Sequence, residues 1–322
     1  MELINNPTHH EIKIAAEALK DGNLVAFPTE TVYGLGADAT NEKAVRRIYS
    51  VKERPSDHPL IVHISSFDLL VKWAIDIPDY ALNLAEKFWP GPMTLILKRS
   101  SLAKNFITGN QEIVGIRVPA HPIATLLLAE FEQIGGCGVV APSANKFGSV
   151  SPTSTQAVNI ELGKLLDRND LIIEGGKSKV GIESTIIDCS TKYPNLIRPG
   201  AITVEMIEEF TNVSVLRRQI NSIKAPGLQE RHYAPATRIK LNTNAKIGDG
   251  FLALKEIPTP IGAVRLASPS TTEEYAKTLY SAFRLADEMK LLNLVVVLPE
   301  GEGLALAIRD RVIKASSRNF LK

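Results

Sequence analysis

With 322 residues and 44% hydrophobic content, the chain is long enough to bury full cores, and its length favours two domains over one. Lysine and arginine total 37 against 35 acids, so bulk charge does not select nucleic acid, and any phosphate contact must come from a local basic cluster. Two cysteines, Cys137 and Cys189, exclude a disulfide scaffold and a multi-cysteine zinc module and point to a reducing cytoplasm. The start, "MELINNPTHHE", lacks a signal-peptide pattern, and no stretch approaches the roughly 20 apolar residues of a membrane span.

Thr8 and Glu11 form a capping box, and Ile12, Ala15, Ala16 and Leu19 then recur at helical spacing up to Gly22. "NLVAF" reads as a strand, Asn41 to Lys52 as a helix, and "LIVHI" as a strand after Pro59. "MTLIL", "GIRV", "GVVA", "LIIE", "STIID" and "NLIR" have strand character, with helices opening at His121 and spanning Ser154 to Leu162. The later strands follow one another too closely for crossover helices, which predicts a mixed sheet. Periodicity fades over residues 221–238, read as a linker. Beyond it, "GFLALKE", "GAVRLAS", a helix from Glu273 to Lys290, "NLVVVLPE" and a helix from Gly303 predict a small, doubly wound, Rossmann-like α/β domain over residues 239–322, for which a regulatory role is one use. The first domain is expected over residues 1–220.

Three tempting motifs fail. Gly34, Gly36 and Ala39 have the spacing of a dinucleotide loop, but the next helix opens late and Asp57 precedes the second strand instead of following it. "EGGKS" needs a glycine where Leu171 stands to be a phosphate loop, and Ser143 lacks the glycines of a nucleophile elbow. What remains is polar residues where strands end: Thr29, Glu30, Thr31, Lys52, Arg54, His58, His63, Arg117, Ser143 and Asn145. Singly, each has a structural explanation; jointly they suit one cleft at the strand ends. Arg117 sits among apolar neighbours and is expected to meet a carboxylate or phosphate, while Lys52 and Arg54 offer a phosphate clamp.

"FPTETVYGLGADA", "YSVKERPSDHPLIVHI", "WPGPMTLIL", "GIRVP", "APSANKFGSVSPT", "GIESTIID" and "IRPGAIT", in that order, resemble the YrdC-like domain of the threonylcarbamoyl-AMP synthases. "APGLQERHYAP" followed by a small α/β unit resembles their two-domain form. The resemblance implies a twisted mixed sheet with flanking helices and an open cleft. It implies synthesis of L-threonylcarbamoyl-AMP and pyrophosphate from L-threonine, bicarbonate and ATP, with magnesium carried by the phosphates. A partner then transfers the threonylcarbamoyl group to the adenosine next to the anticodon of tRNA, and tRNA itself is a possible ligand. By the same resemblance, Thr31, His63, Arg117 and Ser184 bind threonine. Lys52, Arg54, His58, Ser143, Asn145, Ser151, Arg198 and Tyr233 bind ATP, with Lys52 and Arg54 also stabilising the reacting phosphates.

The loop "RPSDHPL" departs from the family's pattern by placing His58 where asparagine is usual, so ATP affinity is expected to respond to pH near neutrality. Gly34 and Gly36 are expected to turn a substrate loop beneath the amino acid. The linker, able to stretch about 55 Å, is expected to act as a lid, with Tyr233 reaching the ATP site. Two other readings are a non-enzymatic RNA-binding protein, using a basic face of Lys52, Arg54, Arg117 and Arg198, and carbamoyl transfer related to hydrogenase maturation.

Overall fold

A computed structural model describes residues 1–217, 224–227 and 232–317. Residues 221–223 and 228–231 of the expected linker therefore lie outside the described residues.

The first unit runs β1 (Glu2–Ile4), α1 (His9–Lys20), β2 (Val25–Phe27), β3 (Gly34–Asp38), α2 (Glu42–Lys52), β4 (Ile61–His63), α3 (Leu70–Trp73), α4 (Asp79–Phe88), β5 (Met93–Lys98) and α5 (Asn105–Thr108). It continues with β6 (Ile113–Arg117), α6 (Pro122–Gln133), β7 (Val139–Val140), α7 (Thr155–Leu162), β8 (Leu171–Ile173), β9 (Thr185–Asp188), β10 (Asn195–Arg198) and α8 (Val204–Thr211). The capping box forms as expected: Thr8 N–H donates to Glu11 Oε2 (2.6 Å) and Glu11 N–H to Thr8 Oγ1 (3.4 Å).

These strands make one mixed sheet in the order β1-β8-β2-β3-β7-β4-β6-β5-β9-β10. Period-two alternation divides its faces. Leu35, Val62, Leu95, Ile116 and Ile187 pack with α2, α4, α7 and α8, while Val25, Phe27 and Ile173 pack under α1 and α6. Near the middle of the sheet the neighbours of Val62 and Ile116 in sequence, His63 and Arg117, necessarily face the other way. Among the described residues, the cavity that both residues line takes no residue from a helix of this unit, and that surface becomes the site.

Gly34 and Gly36 do not turn a loop. They lie within β3, a strand antiparallel to β2, with Gly36 opposite Val25. A Cβ on Gly36 would stand 2.9 Å from the Phe27 ring and 3.0 Å from Val139, so the missing side chain allows close packing.

The second unit comprises β11 (Arg238–Leu241), β12 (Gly250–Leu252), β13 (Val264–Ala267), α9 (Thr272–Glu288), β14 (Asn293–Val296) and α10 (Leu304–Ser316). Its four strands pair in parallel in the order β11-β14-β12-β13. The two units share an apolar cluster in which Val32, Val150 and Ile182 pack with Tyr275, Tyr280, Phe283 and Ile308. The approach is close at Gly181, whose φ is +85° and where a Cβ would fall 2.5 Å from the Cα of Lys277 on α9. No helix among the described residues is long and apolar enough to cross a membrane.

Candidate active site

β4 and β6 run parallel with His63 in register with Arg117, so the alternation that buries Val62 and Ile116 aims both side chains onto the open face. The β2–β3 connection reaches over them. Thr29 Oγ1 donates to Val32 O (2.6 Å) and accepts from Thr31 N–H (3.2 Å), a tight turn that presents Glu30 and Thr31. Arg117 is bound by this turn: Nη2 donates to Glu30 Oε1 (2.6 Å), Nη1 to Thr31 Oγ1 (3.0 Å) and Nε to Gly91 O (3.1 Å). Thus the carboxylate expected for Arg117 is the chain's own Glu30, whose other oxygen accepts the Ala120 N–H. The sequence places Glu30 at the cleft but does not pair it with Arg117. The signal for the pair was available, because an arginine inside an apolar strand needs a buried acid nearby.

From the other end, Ser184, immediately before β9, shares a hydrogen bond of 2.8 Å with Thr94 of β5. Arg198 on β10 donates through Nε to Ser184 O (3.0 Å), through Nη2 to Ser184 Oγ (3.1 Å) and through Nη1 to Pro226 O (3.0 Å). The resulting cavity, about 60 Å³, is lined by all four residues assigned to threonine, Thr31, His63, Arg117 and Ser184, and by Arg54, Ser143, Arg198 and Tyr233 of the nucleotide set. Pro226, Gly227 and His232 of the linker, together with Glu183, also line it.

Four residues assigned to ATP do not line it. Lys52 is 2% exposed and its Nζ donates to Ser143 O and Asn145 O, each at 2.5 Å, so it braces the Ser143–Asn145 segment through backbone carbonyls. Burial, aided by Arg54, holds its pKa well below the usual lysine value. Asn145 donates to Lys146 O and Ser149 O, and Ser151 Oγ donates to Glu183 Oε1 (2.6 Å). His58 lies edge-on to Phe147 with ring centroids 5.2 Å apart. Burial and then Arg54 lower its pKa, which moves its titration away from neutrality, below where the sequence placed it.

Arg54 donates to Pro59 O (2.9 Å); burial lowers its pKa to about 10, so it stays charged at pH 7. His63 is the opposite case. Burial first, and Arg117 second, push it down to about 3, so the site holds a neutral imidazole whose Nδ1 has no hydrogen-bond partner among the described residues. His232, also buried, is pushed down to about 3.

These two histidines predict acid sensitivity. A depressed folded-state pKa costs nothing above the ordinary value of 6.5, and stability is lost as pH falls from there toward about 3, because only the unfolded chain takes up the protons. Each contributes a slope of up to about 1.4 kcal/mol per pH unit. Urea unfolding between pH 7 and pH 4 should show this slope, reduced by about half its histidine part in His63→Gln; an unchanged slope in that variant would remove His63 from the account.

A sequence profile described as telomere recombination, covering the Sua5, YciO and YrdC proteins, matches residues 17–200, and one described as threonylcarbamoyl-AMP synthase, C-terminal domain, matches residues 202–317. The threonylcarbamoyl-AMP synthase of Pyrococcus abyssi is 39% identical over 97% of this chain and 96% of its own length. The chain belongs to the threonylcarbamoyl-AMP synthase family. The Bacillus subtilis synthase is 35% identical, over 97% of this chain and 94% of its own. The crystal structure of P. abyssi Sua5 complexed with L-threonine superposes with a TM-score of 0.88 at 36% identity, covering 98% of each chain. The family's two-unit architecture is therefore the one seen here, with a large mixed sheet and a smaller parallel one.

Proposed function

We propose that the chain synthesises L-threonylcarbamoyl-AMP from L-threonine, bicarbonate and ATP, releasing pyrophosphate. The observation that carries this reading is Arg117, fixed by three hydrogen bonds at the cavity wall. A guanidinium has five N–H donors, so two remain for a carboxylate. Thr31 and Ser184 offer hydroxyls and His63 a neutral ring to the remaining polar groups of a small amino acid.

Threonine's deprotonated amine and bicarbonate form a carbamate and release water; a carbamate oxygen attacks the α-phosphorus, the bond between that phosphorus and the bridging oxygen breaks, and pyrophosphate departs. The nucleophile is already an anion, so the chain's work is to align it and to stabilise the growing negative charge. Arg54 and Arg198 supply the compensating positive charge, Ser143 and Tyr233 bound the nucleotide, and Lys52 fixes the Ser143–Asn145 segment. Magnesium would ride on the ATP phosphates and neutralise part of their charge.

At about 60 Å³ the cavity is far smaller than the roughly 300–1,000 Å³ of sites for drug-sized ligands, so ATP enters when the linker lifts. Reclosure then shields the carbamate and the mixed anhydride from water. The product is an activated acyl group, to be consumed in the cytoplasm by a transferase that modifies the tRNA adenosine beside the anticodon.

An RNA-binding surface is disfavoured by burial: Lys52, Arg54, Arg117 and Arg198 are 2–7% exposed and donate to the chain's own oxygens. Full-length likeness to synthases also leaves carbamoyl transfer for hydrogenase maturation without support. Pyrophosphate release with ATP, magnesium and bicarbonate, each of the twenty amino acids being supplied in turn, tests the proposal. Selective release with threonine is expected, and indifference to the amino acid would sink it.

A further inference from the structure

The second unit sends a charged side chain into the site region. Arg311 of α10 is fully buried, and its Nε donates to Glu183 Oε2 at 2.8 Å. Its Nη2 reaches Glu183 O (3.4 Å) and Pro199 O (3.0 Å), gripping the backbone immediately beside Ser184 and Arg198. Its Nη1 donates to Asp310 (2.7 Å), and its guanidinium lies 5.3 Å from the centre of the Tyr233 ring. Tyr280 of α9 donates to Glu183 Oε2 at 2.9 Å, and Ser151 Oγ donates to Oε1 at 2.6 Å.

Glu183 is thus a buried carboxylate in the wall of a cavity that has to admit a polyanion. Burial alone would raise its pKa, but Arg311 and Arg198 outweigh that effect and hold it near 2, so the carboxylate is ionised in use. Left without Arg311, its charge would repel the phosphates and draw on Arg198, which the nucleotide also needs.

We propose that Arg311 is a positioning residue for nucleotide binding: from the second unit it neutralises Glu183, leaves Arg198 free to meet phosphate, and supports Tyr233 of the linker. By this account the second unit completes the electrostatics of the first. The inference rests on the reading of the cavity as an ATP and threonine site.

The test compares full-length wild type, Arg311→Met, Glu183→Gln, the double variant and Tyr280→Phe. ATP affinity is measured calorimetrically without threonine, and KM for ATP and for threonine during turnover. Arg311→Met is expected to weaken ATP by about tenfold or more, because it strands a buried charge, with threonine KM changed by less than about threefold. Glu183→Gln should bind ATP at least as tightly as wild type, and adding it to Arg311→Met should restore most of the lost affinity. Tyr280→Phe, which keeps the ring and removes one donor to Glu183, should weaken ATP by about two- to fivefold. Unchanged ATP affinity in Arg311→Met, or no recovery in a folded double variant, would overturn the inference. Should Arg311→Met fail to fold, Tyr280→Phe with wild-type ATP affinity would overturn it equally. Wild type that binds ATP but releases no threonine-dependent pyrophosphate would defeat the synthase reading, while the ATP titrations would still decide the role of Arg311.

Discussion

Replacing Arg117 by methionine is expected to lower threonine-dependent pyrophosphate release by at least about a hundredfold in kcat/KM, since it removes the guanidinium proposed to bind the amino-acid carboxylate. The same change strands Glu30, which is buried with its Oε1 2.6 Å from the missing group. Breaking a buried pair from one side costs about 3–5 kcal/mol, so the variant should also unfold at much lower denaturant. The two effects are separable. Adding Glu30→Gln removes the uncompensated charge, and the double variant should recover much of its stability while remaining inactive. Recovery of activity together with stability would show that Arg117 only supports the fold; denaturation midpoints and steady-state kinetics on the three variants decide.

Replacing Tyr233 by alanine is expected to uncouple the reaction. The tyrosine is 1% exposed, takes a left-handed backbone (φ 61°) and stacks near Tyr280 with ring centroids 5.8 Å apart. Its neighbour Ala234 is tied by its N–H to Gly148 O at 2.9 Å, so linker and first unit meet at this point. Burial, with Glu183 adding, raises the phenol pKa to about 12, and the hydroxyl is neutral at pH 7. Deleting the ring leaves a void beneath the linker and lets water reach intermediates that hydrolyse readily. Pyrophosphate should still appear with threonine, but the ratio of pyrophosphate to threonylcarbamoyl-AMP should rise by about threefold or more. Chromatographic quantification of both products measures it, and an unchanged ratio would remove the linker from the role of lid.

The pattern of elements was legible because its signals are local. The capping box at Thr8 and Glu11, the helix opening at Asn41 and the alternating strands follow from backbone hydrogen bonding and side-chain periodicity within a few residues. β3 was missed because its two glycines look like a turn, and only contact with Phe27 and Val139 shows them as packing positions. β11 was missed because Arg238 falls where the linker was thought to end.

The sequence by itself determined the α/β class, the second small unit and, through ordered motifs, the family and the residues Thr31, His63, Arg117 and Ser184 that share the cavity. Tertiary structure alone decided which charges are free to act. Lys52 meets two carbonyls 91 and 93 positions away, and Arg117 meets Glu30 from 87 positions away. Arg311 reached Glu183 across 128 positions. A charge in a low-dielectric interior takes whatever partner folding brings within about 3 Å, and that distance is set by packing of remote segments, to which local periodicity carries no information.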